Sequence, residues 1–145
     1  MTQPDNQRLV TYDVFTPVQT SVTALTADTG WLNSGVSIAN GTVTVSSYGF
    51  RAIGQEIYFR VFGTWNVAIT VVASGDIANS NVFTVSDTRF NNFTQTQGGF
   101  GTHNSGRTVS GYVNVGGGFY VTAVGGSTNI AVGDPFSLAG SYLLG

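Results

Sequence analysis

The run from Tyr48 to Gly63 (YGFRAIGQEIYFRVFG) constrains this chain more than any other, because its apolar residues recur at every second position on either side of a Gly-Gln pair. Tyr48, Phe50 and Ala52 share one face of a first strand, and Ile57, Phe59 and Val61 share one face of a second, as a side-chain period of two requires. The pattern predicts a hairpin hinged at Ile53-Gly54-Gln55 with its aromatic face buried. The same run holds the only Glu and two of the five Arg in the chain. Arg51, Glu56 and Arg60 fall on the opposite face, where unlike charges can sit across the ladder.

Around this hairpin the chain is poor in charge. Charged residues make up 8% of its 145 positions, against roughly 25% in ordinary soluble domains. Lysine is absent, and a formal net charge of -2 with five scattered Arg offers no basic patch for a phosphate backbone, so nucleic acid is not an expected partner. A surface built from Thr, Ser, Asn, Gln and Gly has little like-charge repulsion to hold copies apart, which points to assembly with identical subunits. Cysteine is also absent, so neither a disulfide frame nor a thiolate metal site is available. The polar start, Met1 to Arg8, lacks the basic and apolar segments of a secretory leader, and no run reaches the length of a membrane span. Synthesis in the cytoplasm without a signal peptide, and no membrane insertion, are the resulting expectations.

Val, Thr, Phe and Tyr recur in short runs punctuated by Gly, Asn and Asp, the pattern of an all-β sandwich or barrel. Residues Thr11 to Leu25 hold β-prone pieces interrupted by Pro17 and read as an extended arm or edge strand. The expected organisation is an N-terminal arm over residues 1–27 and a β-domain over residues 28–145. Val36/Ile38 and Val43/Val45 alternate around Asn40-Gly41, a strong two-residue hairpin signal. Val67 to Ala73 and Val82 to Val85 read as further strands, and Val109–Val115 and Phe119–Val124 as a hairpin around Gly116-Gly117-Gly118, whose tip needs backbone freedom. Asn91 to Arg107 is polar and glycine-rich and reads as a long loop. Phe136 to Leu144 reads as a closing strand tucked into the core.

Asp28-Thr29-Gly30-Trp31, followed by a polar hairpin and then by Phe50, Arg51, Gly54, Ile57, Tyr58, Phe59 and Arg60, resembles the globular head domains of phage tail fibres and related virion surface proteins. Their pattern is an opening "D-x-G-W" and a "Y/F-R-x-x-G-x-x-V/I-Y-F/L-R" hairpin. Val109 to Val124 and Phe136 to Leu144 look like the later hairpin and closing strand of those heads, so the resemblance spans about residues 28 to 145. It implies an antiparallel, jelly-roll-like β-sandwich that forms homotrimers on a bacteriophage particle. About 27 residues precede Trp31 without heptads or a Gly-x-y period, so a long fibre shaft is not expected there. A capsid decoration protein is the better match.

No catalytic constellation stands out. His103 is the sole histidine, without Cys or paired carboxylates nearby in sequence, and Asp28, Asp76, Asp87 and Asp134 each neighbour a turn former, so neither a metal site nor a glycosidase pair with Glu56 is expected. The glycine clusters lack the Lys-Ser/Thr and helix of a phosphate loop. The expectation is a non-enzymatic protein without cofactor. Val10, Tyr12, Val14, Phe15, Val18 and Val22 of the arm would dock on the major capsid protein. The alternative is a tail-tip module reading a host glycan through Trp65, Asn91, Asn92, Gln95, Gln97, His103, Asn104 and Arg107, with Trp65 either a sugar platform or an interface aromatic.

Overall fold

The computed structural model describes residues 27–92, 97–102 and 106–145. The arm residues Val10, Tyr12, Val14, Phe15, Val18 and Val22, with Gln95, His103 and Asn104, lie outside the described residues. What is described is all-β and antiparallel, in two sheets: β1 (Ile38–Asn40), β4 (Asp76–Val85), β7 (Gly118–Val124), β6 (Thr108–Val113) and β5 (Gln97–Thr102) in that spatial order, and β2 (Val43–Ile53), β3 (Glu56–Trp65) and β8 (Pro135–Leu143) in the other. Among the described residues the one α-helix, α1 (Thr88–Asn91), is a single turn capped by Asp87, and no helix is long and apolar enough to cross a membrane.

The aromatic hairpin forms as its alternation predicts. Phe50 lies opposite Phe59 and Ala52 opposite Ile57 across β2 and β3, and Ile57, Phe59, Val61 and Trp65 all point inward. The two-residue turn Gly54-Gln55 joins the paired Ile53 and Glu56. Upstream, the register slips between Val45 and Ser47. Such a bulge reverses the parity of a strand, so Val43 before it and Phe50 after it both reach the core. Val43 and Val45 therefore belong to the same strand as Tyr48 and Phe50.

That fusion removes the expected hairpin at Asn40-Gly41. β1 pairs with β4, and β2 with β3, so Asn40-Gly41 carries the chain from one sheet to the other. Neither residue adopts the positive φ that a type I′ turn requires, and the Asn40 side chain accepts from Val45 N–H at 3.0 Å. Val67 to Ala73 is likewise not a strand. Ile69 and Val71 are buried at alternate positions, but the segment makes a single bridge, Ile69 to Ile130, while Asn129 Oδ1 accepts from Val71 N–H.

β6 and β7 form the predicted hairpin, with Gly116 and Gly117 at φ 98° and 79° in its turn. The supposed long loop contains β5, paired along its length with β6. β5 also runs beside β8: a Cβ on Gly101 would stand 2.7 Å from Leu138 Cα and would strike Leu138 Cδ1. Glycines that look like loop formers thus serve as points of close backbone approach.

Rings from both sheets meet in the core. Phe119 on β7 lies 4.9 Å from Phe59 on β3 and 5.8 Å from Tyr142 on β8, and stacks on Phe83 of β4 at 4.4 Å between centroids. Phe90 of α1 packs on Phe50 at 5.4 Å, and its carbonyl accepts the buried Tyr142 hydroxyl at 2.6 Å. Burial pushes the Tyr142 phenol above its ordinary pKa, so it stays a donor. β8 closes the structure with Phe136, Leu138 and Tyr142 buried, as its sequence predicts.

Candidate functional site

The residues of the opening D-x-G-W and of the aromatic hairpin come together on the outer face of the three-stranded sheet. Residues 27–32 run antiparallel along the free edge of β2, bonded through Ala27 O to Gly54 N–H, Thr29 N–H to Ala52 O, and both groups of Leu32 to Phe50. Gly30 turns the segment with φ 64°, and its N–H donates to Asp28 Oδ1 at 2.8 Å.

Asp28 is held opposite Arg51, whose Nε and Nη2 donate to its two oxygens at 2.9 and 2.5 Å. That fork, with the Gly30 N–H, lowers the Asp28 pKa from 3.8 to about 2. The expected cross-ladder partner of Arg51, Glu56, instead accepts the Tyr58 hydroxyl at 2.8 Å. A carboxylate from outside the hairpin wins because Asp28 is fixed by backbone bridging to Ile53 and can meet the guanidinium edge-on with both oxygens.

Trp31 folds over Gly49 and places its ring 4.4 Å from the Arg60 guanidinium carbon, a cation–π contact. Asn33 Oδ1 accepts from the same Arg at 3.5 Å. Trp31 and Phe62 remain exposed, at 38% and 46%, near the Arg60 end of β3, and Ile53 and Leu143 are exposed at its Glu56 end. The face is thus apolar patches between charged groups held in fixed positions.

No known protein family, curated protein or solved structure matches this chain.

Of the glycan set expected from sequence, Trp65, Asn91, Asn92, Gln97 and Arg107 are described. Trp65 is 1% exposed and packs edge-on to Phe136 at 5.3 Å, in the core and not on any platform. Parity decides this: Trp65 is in phase with Ile57, Phe59 and Val61 on the inward face of β3. Asn91 ends α1 and donates to Val85 O at 3.2 Å, while Asn92 is exposed and its carbonyl accepts from Gly145 N–H at 3.3 Å. The backbone of Gln97 pairs with Val113. Arg107 Nε donates to Gly125 O at 2.6 Å, tying the start of β6 to the turn after β7.

Among the described residues the remaining carboxylates sit in or beside turns. Asp76 accepts from Ser74 Oγ at 2.6 Å, Asp134 from Ala131 N–H at 2.9 Å, and Asp87 from Arg89 at both backbone and side chain. The Arg89 contacts hold Asp87 below the usual carboxylate range. Among the described residues no group of three or more His, Cys, Asp or Glu gathers as metal ligands would.

One outward pair escaped the sequence reading. Tyr112 and Tyr120 stack at 5.1 Å and 8° on neighbouring strands. Both lie four residues from Gly116, so counting outward from that turn would have paired them.

Proposed function

We propose that this chain is a non-enzymatic structural protein of a bacteriophage particle, a jelly-roll-like sandwich that trimerises and decorates the capsid through its N-terminal arm. One observation supports the reading above others: the residues that carry the resemblance to virion head domains contact one another in two pairs, Asp28 with Arg51 and Trp31 with Arg60, so the opening segment and the hairpin are tied together on one sheet face. A weakly ionic all-β body with exposed apolar side chains on a sheet face is consistent with a subunit that lives against neighbours. The action would be mechanical. Three arms engaging adjacent capsid subunits turn a weak contact per arm into a strong one by effective concentration.

The rival, a tail-tip module reading a host glycan, draws less support because its one aromatic platform, Trp65, is in the core. Removing residues 2–25 is expected to leave a folded trimer that no longer sediments with particles. Continued particle binding by that truncation would overturn the arm assignment. Copy number separates the two locations: hundreds per particle for the capsid, a handful for the tail.

A further inference from the structure

On the outer face of the three-stranded sheet, Arg51 is neutralised by Asp28, whereas Glu56 and Arg60 make no ion pair among the described residues. Glu56 accepts a phenolic hydroxyl, and Arg60 rests on an indole and an amide. Both lie on β3 and point the same way, four residues apart, which sets them about 13 Å from one another along the strand. Tyr58 stands midway. A strand face with a cation at one end and an anion at the other is complementary to another copy of itself.

The surroundings fit such a contact. Phe62 and Leu143 are exposed at 46% and 57%. Across from Tyr58 and Arg60, β8 presents Ser141 and Ala139, which are small enough to let another sheet approach closely.

We propose that this face is the contact between copies of the chain, with Glu56 of each copy paired to Arg60 of the next around a three-fold axis. The inference rests on the homotrimer reading above and adds to it the surface and the charge pair that close the ring. The contact is heterologous, each copy using its anion toward one neighbour and its cation toward the other, and it closes into a ring of three when the rotation between neighbours is one third of a turn, as the homotrimer reading requires.

Sedimentation velocity on the full chain tests it, with circular dichroism to verify that each variant keeps its strand content. Glu56→Arg and Arg60→Glu each bring like charges together and are expected to weaken association by about tenfold or more. The double exchange restores it. A wild-type trimer indifferent to either single variant overturns the face and leaves the trimer reading standing, and single losses without rescue overturn the pairing. A wild-type chain that stays monomeric at high concentration overturns both. Should either charge variant unfold, Phe62→Ser decides, the ring lying outside the buried core: with strand content retained, a weakened trimer supports the face and an unchanged one rejects it.

Discussion

Asp28 accepts from a guanidinium and from a backbone N–H two residues on, and both interactions favour its charged form. Its folded pKa of about 2 lies below the ordinary 3.8, so the linked stability is fully present above pH 3.8 and is lost as pH falls through about 2. Asp28→Asn is therefore expected to melt below the parent at neutral pH, with the gap narrowing under pH 3.8 and closing as pH falls through about 2. A gap that persists in strong acid would contradict the pairing. With side chains 34% and 39% exposed, the pair is screened by water, and added salt should shrink the difference. At this scale the sequence was partly legible. The parity of β3 was enough to send Trp65 inward, but flanking Thr64 and Asn66 disguised it as a surface residue. Asp28 could not be matched to Arg51 from sequence, since the pairing depends on a segment folding back over an edge.

The pairings read correctly were those between strands that follow one another in the chain. β2 with β3, and β6 with β7, announce themselves by alternation around a glycine turn, and β8 by its apolar run. β1 with β4 was illegible because its pairing joins residues far apart, and turn chemistry at Asn40-Gly41 argued for the wrong neighbour. Val67 to Ala73 shows the converse. Alternating burial needs only a core on one side, and a segment can satisfy it while Asn129 and Ile130 supply its backbone bonds. β5 was hidden by its glycines, which permit the approach to β8. Gly101→Val should cost about 1–3 kcal/mol by overpacking against Leu138, read as a lowered urea midpoint. An unchanged midpoint would mean that the two strands do not abut.

For the molecule as a whole, the all-β class was legible from composition and period, whereas the assignment of strands to sheets was not. The two sheets share one aromatic core, in which Phe119 touches Phe59 and Tyr142 on one side and Phe83 on the other. They should consequently unfold together. Phe119→Ala is expected to lower global stability by about 3–5 kcal/mol. Native-state hydrogen exchange should show β3 and β4 losing protection to the same extent. Two separate transitions would refute a common core.

The position of β8, beside β3 and against β5, has a consequence for biosynthesis. It follows every other described strand, so a polypeptide still emerging from the ribosome can form its local hairpins but cannot seal the gap between the sheets. Until Pro135 to Leu143 has been translated, the inward rings of β3 and β7 stay open to water and to other nascent chains. Completion of the fold is thereby timed to the end of this segment's synthesis.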